Sequence, residues 1–148
     1  MTIQRLPSDA LEQSVNMRRR VVEVVNQITQ APTWIAPTLL NSWVNYGNGI
    51  VGDAGYYKDA LGRVHIKGVI KDGTATASTV LFQLPAGYRP GHEVVCNVRA
   101  SNTTESAEGA ARVDIETDGD VVIIGGDVSG FGTGCYVSLD GISFLAEQ

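Results

Sequence analysis

The chain changes its apolar periodicity at a proline-containing segment, and this change constrains the fold more than any other feature. Before Pro32, apolar residues recur every three or four positions, which is the period of a helix that packs against other helices. After Pro37, short apolar runs alternate with polar residues between turn-forming residues, which is typical of β-strands. We therefore predict an N-terminal trimerisation helix in residues 1–33, to which the resemblance described below adds attachment, and an all-β head in residues 34–148.

The N-terminal segment is predicted to form one helix, which begins at Ser8 as its cap and runs to about Gln30. Its apolar residues form a coiled-coil seam with spacings of four, three and four: Met17, Val21, Val24 and Ile28. Flanking valines widen the seam, which favours three strands over two. A helix of about three heptads is marginal alone. It therefore needs copies of itself or the surface of its own head.

The head is predicted to contain nine short strands: 42–46, 55–58, 64–71, 79–84, 92–100, 110–116, 121–124, 135–139 and 142–145. Asp118-Gly119 and Asp140-Gly141 predict two-residue hairpins, and residues 59–62 a slightly longer one. Residues 85–91 and 125–134 are predicted loops. Such strands favour an antiparallel β-sandwich, jelly roll or small β-barrel. Trp34 and Ile35 in the linker are expected to cover one end of this head.

Charge and cysteine content limit the partners of the chain. The net charge is −5, and the sequence from Asp72 onward contains eleven acidic residues and three basic ones. This balance disfavours nucleic acid and anionic membranes. No signal peptide precedes the helix, and no apolar run approaches a membrane span, so we expect synthesis in a cytoplasm and no membrane insertion. Cys96 and Cys135 lie in apolar runs and are interpreted as two buried thiols, with a disulfide left open.

No catalytic, metal or cofactor site is predicted. Residues 114–120 begin like a calcium loop, but Gly125 stands where the loop needs its bidentate glutamate. The glycines of residues 130–134 precede a strand, whereas a phosphate-binding glycine loop opens a helix. The histidines have no neighbouring nucleophile in the sequence, so hydrolysis is not predicted.

Aromatic residues are the remaining indication of a ligand site. Sugar sites stack the apolar faces of sugars on aromatic rings and bind hydroxyl groups with polar side chains. The candidate saccharide-binding residues are Trp43, Tyr46, Tyr57, His65 and Tyr88. The alternative, that most of these rings pack in the core or at its rim, stays open.

Several motifs in the head occur in a familiar order: residues 39–47 (LLNSWVNYG), 57–59 (YKD), 62–65 (GRVH), 84–90 (LPAGYRP), 111–115 (ARVDI) and 137–144 (VSLDGISF). Together they resemble the head domain at the C-terminus of phage and prophage tail or baseplate proteins. The layout of a short helix followed by a head resembles the small receptor-binding proteins of lactococcal siphophages. In that family three N-terminal helices form a bundle that inserts into the baseplate, and three β-barrel heads bind cell-wall saccharides.

The resemblance implies a homotrimer in the virion tail, attached to a baseplate or tail protein, that binds a host cell-wall saccharide. An alternative is a structural subunit of the virion, such as a fibre or decoration protein, that binds no receptor. A glycan-cleaving enzyme is a third class, but it needs a catalytic pair that the sequence does not reveal.

Overall fold

A computed structural model describes residues 8–74, 78–101, 108–126 and 134–147. The chain divides into two compact units, Met1–Ala31 and Pro32–Gln148. The predicted boundary lay between Thr33 and Trp34. Within the described residues, no helix is long and apolar enough to cross a membrane.

The first unit contains one helix, α1, at Ser8–Thr29. Each large apolar side chain of α1 is about half exposed or more. These side chains are Leu11, Val15, Met17, Val21, Val22, Val24, Val25 and Ile28. The predicted seam is thus an open apolar surface on the helix of a single chain. The trimer itself stays a prediction.

The described residues of the head form ten strands: β1 (Val44–Asn45), β2 (Gly55–Lys58), β3 (Arg63–Lys67), β4 (Val69–Lys71), β5 (Thr79–Gln83), β6 (Val94–Ser101), β7 (Glu108–Ile115), β8 (Asp120–Gly126), β9 (Tyr136–Ser138) and β10 (Ile142–Leu145). They form a seven-stranded sheet in the order β1-β4-β9-β6-β7-β8-β5 and a three-stranded sheet in the order β10-β3-β2. All of the paired strands are antiparallel. The mainly β architecture with one N-terminal helix is confirmed.

The prediction of one strand over residues 64–71 is wrong, because the chain changes sheets at Gly68. Gly68 has a φ of +104°, and a Cβ atom there would collide with the carbonyl oxygen of Asp53. Its amide donates to Asp140 Oδ1 at 2.7 Å, and its carbonyl accepts from the amide of Leu139 at 2.8 Å. The bend therefore places β3 in the three-stranded sheet and β4 in the seven-stranded sheet.

Two of the three predicted hairpins are confirmed. A hairpin joins β7 and β8 at Asp118-Gly119, although four residues, 116–119, separate the strands where two were predicted, and residues 59–62 join β2 and β3. Asp140-Gly141 also forms a turn, but the predicted hairpin is wrong, since β9 pairs with β4 and β6 whereas β10 pairs with β3. An Asp-Gly pair specifies a tight turn and not the partners of the strands that it joins. The predicted loop at 125–134 lies largely outside the described residues, and its first two residues belong to β8.

One hydrophobic core lies between the sheets. Phe82, Leu81 and Val137 from the seven-stranded sheet are fully buried, and Val64 and Ile66 from the three-stranded sheet are nearly so. Cys96 and Cys135 do not form a disulfide. Cys135 is buried as expected, but Cys96 is only half-buried.

Candidate functional site

The outer face of the three-stranded sheet is the candidate site. Successive side chains of a strand point to opposite faces. In β3 the buried Val64 and Ile66 face the core, so His65 and Lys67 face outward. In β2 the buried Tyr56 faces inward and Tyr57 outward. The register places His65 directly between Tyr57 of β2 and Ser143 of β10.

Five side chains on this face contact one another in sequence, and we call them the aromatic ladder: Lys67, Trp34, Tyr57, His65 and Asp59. The Lys67 Nζ lies 4.4 Å from the centre of the Trp34 ring. Trp34 meets Tyr57 edge to face, with centroids 4.6 Å apart and planes at 79°. Tyr57 stacks on the imidazole of His65 at 4.7 Å, with planes at 10°. These contacts hold each ring in one orientation before any ligand arrives.

Trp34 joins the ladder because the linker pairs with the edge of β2. Ile35 and Tyr56 exchange two backbone hydrogen bonds, Ile35 N to Tyr56 O at 2.8 Å and the reverse at 2.9 Å. Neighbouring residues on an extended chain point to opposite sides, so this pairing helps to set Trp34 on the outward face. The ring is 36% exposed. The linker thus supplies one side of the site.

Asp59 closes the other end of the ladder and orders the β2–β3 turn. Its Oδ1 accepts hydrogen bonds from the amides of Leu61 and Arg63, both at 2.9 Å. Its Oδ2 lies 3.0 Å from Nε2 of His65. The hydrogen bond with His65, followed by those from the backbone, lowers the pKa of Asp59 below its ordinary value.

The tautomer of His65 follows from this carboxylate. At neutral pH Asp59 is ionised and can only accept hydrogen bonds, so Nε2 of His65 must carry the proton. In the neutral imidazole Nδ1 is then an acceptor, which suits a hydroxyl donor from a ligand. The side chains of His65 and Asp59 are 30% and 29% exposed, so this edge of the ladder is accessible.

Ser143 and Arg63 lie beside His65 on this face. Ser143 lies opposite His65, but its hydroxyl contacts Arg63, whose Nη1 lies 3.3 Å from Ser143 Oγ. Within the described residues, no hydrogen bond joins Ser143 to His65, so the pair is not arranged as a nucleophile and its base. Arg63 and Lys67 add two cations beside the rings.

The structure brings together two of the five predicted saccharide-binding residues, Tyr57 and His65. Trp43 is only 2% exposed, and a Cβ atom on Gly73 would collide with its ring, so Trp43 belongs to the core. Tyr88 is half-buried and packs edge to face on Tyr56 with centroids 5.2 Å apart. Tyr46 directly follows β1 of the seven-stranded sheet, and its ring centroid lies 6.1 Å from that of Tyr136.

Sequence reasoning missed Trp34, Asp59 and Lys67 as members of the site. The period-two pattern of β3 was sufficient to place Lys67 on the same face as His65. Nothing local could place Trp34, because its position depends on the pairing of the linker with β2. Asp59 was read only as a turn residue.

Three carboxylates gather at the β7–β8 turn. Single oxygens of Glu116, Asp118 and Asp120 all lie within 4.8 Å of one another. Partial desolvation, followed by the charges of Asp118 and Asp120, raises the pKa of Glu116. The sequence analysis predicted no calcium loop over residues 114–120, and it did not predict this proximity. Exposed acids gather at turns without an ion, so proximity alone does not make a metal site.

The fold of this chain resembles that of a solved phage protein. The crystal structure of the receptor binding protein (gp15) of Listeria phage PSA matches it with a TM-score of 0.63 and 17% sequence identity, over 97% of this chain and 82% of that one. No family model and no curated protein matches the sequence. At this identity the match establishes a shared fold.

Proposed function

We propose that this protein is a phage tail receptor-binding protein that binds a host cell-surface saccharide through the aromatic ladder. The observation that carries the proposal is an exposed, pre-ordered row of aromatic, histidine and carboxylate side chains on a fold that resembles a phage receptor binding protein. This combination favours the receptor role over that of a virion subunit without a receptor.

The ladder has the two kinds of group that a sugar needs. The rings of Trp34 and Tyr57 offer apolar surface for the C–H groups of a sugar. Nδ1 of His65 accepts a hydrogen bond from a hydroxyl group, while Ser143 presents a hydroxyl group beside it. Because the ring orientations are already set by mutual contacts, little conformational freedom is lost when a sugar binds.

The charge on this face favours a saccharide with an acidic substituent. The outward face of β3 carries the bases Arg63 and Lys67, and one acid, Asp59, lies beside them, in a chain whose net charge is −5. The acid is already engaged by His65 and the turn amides. Lys67 and Arg63 therefore remain as the charges that a phosphate or carboxylate on the sugar would meet.

The helix supplies the attachment and the copy number in this proposal. Three copies of α1 would pack through Met17, Val21, Val24 and Ile28, each more than half exposed in the single chain. The bundle would attach to a baseplate or tail protein, and the virion would carry the heads. Weak binding by each head is then multiplied by the number of heads that bind together.

The binding test uses the fluorescently labelled full-length chain and a panel of Gram-positive cells. Trp34→Ala and His65→Ala are each compared with Leu61→Ala, which alters an exposed apolar residue, 80% accessible, in the adjoining turn. We expect the first two variants to weaken cell binding by about tenfold, equivalent to about 1.4 kcal/mol in the binding free energy, and the control to bind like the original chain.

Competition with purified cell-wall polysaccharide identifies the class of receptor. Inhibition by the polysaccharide, lost in the Trp34→Ala chain, supports a saccharide bound at the ladder. Cell binding that resists the polysaccharide contradicts a saccharide receptor. Two results together would favour the structural subunit without a receptor. The isolated chain would bind no cell in the panel, and virions that carry Trp34→Ala would adsorb as well as the original virions.

A further inference from the structure

The seven-stranded sheet carries a second group of aromatic and charged side chains on its outer face. We call it the second cluster: Tyr46, Lys71, Arg99, Glu108 and Tyr136. Lys71 and Tyr136 are register partners on β4 and β9, and their neighbours Ile70 and Val137 are fully buried. By alternation, Lys71 and Tyr136 therefore face away from the core. This is the side of the head opposite to the aromatic ladder.

The second cluster is also a continuous chain of contacts. The Lys71 Nζ lies 5.2 Å from the centre of the Tyr46 ring, and Tyr46 meets Tyr136 edge to face at 6.1 Å and 87°. The Tyr136 hydroxyl donates to Glu108 Oε1 at 2.8 Å and accepts from Arg99 Nε at 3.4 Å. Arg99 and Glu108 form an ion pair. The rings and the three polar groups are thus set in fixed relative positions.

The polar end of the cluster remains open to solvent. The side chains of Arg99 and Glu108 are 64% and 45% exposed. An ion pair this exposed contributes little to the stability of the fold. A carboxylate beside a guanidinium offers an acceptor and donors side by side, which is the pattern that two adjacent hydroxyl groups require.

We infer that the second cluster is a second saccharide site, selective for a neutral sugar with two adjacent free hydroxyl groups. Glu108 and Arg99 would bind the hydroxyl pair, and the rings of Tyr46 and Tyr136 would contact the C–H face of the same sugar. This inference rests on the proposed saccharide-binding function and adds a site with a different ligand charge. In the ladder the one carboxylate is engaged in a turn and the cations predominate. In the second cluster the charges are balanced, because Arg99 pairs with the 45% exposed Glu108 and Lys71 lies 3.9 Å from Asp72.

Each head would then bind sugars on two opposite sides. The two sheets enclose one core, so their outer faces point away from each other. A single sugar cannot contact both sites. Two sites of different charge preference select for a surface that displays both neutral and acidic sugars, and they add to the multivalency of the assembly.

The test is a nuclear magnetic resonance titration of the full-length chain with two matched probes. One probe is a set of methyl glycosides of glucose, galactose and N-acetylglucosamine, and the other is glucose 1-phosphate. We expect a methyl glycoside to shift the ring signals of Tyr46 and Tyr136, and glucose 1-phosphate to shift those of Trp34 and Tyr57. Tyr46→Ala and Glu108→Gln should each weaken glycoside binding at the second cluster by about tenfold and leave the shifts of Trp34 and Tyr57 by glucose 1-phosphate unchanged.

Val95→Ala is the matched control, because Val95 is 60% exposed on the outer face of the same sheet. Glu108→Gln keeps the shape of the side chain, so it remains informative if Tyr46→Ala fails to fold. Trp34→Ala should remove the shift of Tyr57 by glucose 1-phosphate and leave methyl glycoside binding at the second cluster unchanged.

The two proposals fail in different ways in this experiment. If no methyl glycoside shifts Tyr46 or Tyr136, or if Glu108→Gln binds glycosides like Val95→Ala, the second site is overturned while the ladder stands. If Trp34→Ala is without effect but Glu108→Gln abolishes glycoside binding, the ladder is wrong and the second site is supported.

Discussion

The helix and the head differ in the solvent exposure of their apolar side chains. In α1 every large apolar side chain is about half exposed or more, with Met17 at 67% and Ile28 at 62%. In the head, residues such as Phe82 and Leu81 are fully buried between two sheets. Buried apolar area is the main favourable term in folding. The difference indicates that the head is stabilised by its own core, whereas α1 needs apolar surface from outside its own unit.

The largest expected effect is on the core of the head. Phe82→Ala should lower the free energy of unfolding by about 3–5 kcal/mol, because it removes a fully buried ring and leaves a cavity. Urea denaturation followed by circular dichroism measures this change. The matched control, Leu61→Ala at an 80% exposed position, should change stability by less than about 0.5 kcal/mol. Equal effects from the two variants would contradict a head that is stabilised by its own core.

The next effect concerns the helix and not the core. We expect the full chain to have about three times its 15.7 kDa mass in light scattering. Val21→Glu should reduce that to the mass of one chain, because an unpaired charge cannot be buried in an apolar seam. The denaturation midpoint of the head should remain unchanged. Asn26→Glu, on the opposite side of the helix, should leave the oligomer intact. A monomeric original chain would rule out the trimer.

The smallest effect is a pH dependence that belongs to the head. The lowered pKa of Asp59 means that its ionised form stabilises the fold. This contribution is fully present above the ordinary pKa of about 4 and is lost as the pH falls through the lower pKa of the folded state. Asp59→Asn should therefore reduce stability at neutral pH, by less than about 1 kcal/mol, and flatten the acid dependence below about pH 4.

Thermal melts across the acid range measure this dependence. Asp53→Asn, at an exposed aspartate, is the control. A variant whose acid dependence is as steep as that of the original chain would show that the hydrogen bond from His65 to Asp59 has no energetic role.

Local patterns predicted the strands of the head well where burial alternates. The bounds of β2 and β10 agree with the predicted segments 55–58 and 142–145. The prediction failed at Gly68, where one apolar run passes from one sheet to the other. The cause is the close approach of the Asp53 backbone to Gly68. Asp53 lies outside both strands, so the local pattern of β3 and β4 does not reveal this contact.

The candidate site shows the same division. Alternation puts Tyr56 and Tyr57 on opposite faces of β2, and His65 on the face of β3 opposite to Val64 and Ile66, and the structure shows that Tyr57 and His65 face outward. It could not show that Trp34 packs on Tyr57, since this contact needs the linker to pair with β2. It also could not show that Trp43 is buried, because a tryptophan between Ser42 and Val44 reads equally as a surface ring or a core ring.

The sequence by itself determined the separation of a helical segment from a β head, the positions of most strands and the outward faces of β2 and β3. These depend on the periodicity of apolar residues within a few positions, which reports which side of an element is buried. Only the tertiary structure decided which strands pair and which rings meet. Pairs such as Ile70 with Val137 join residues far apart in the chain, and their choice depends on how all the strands together enclose the core.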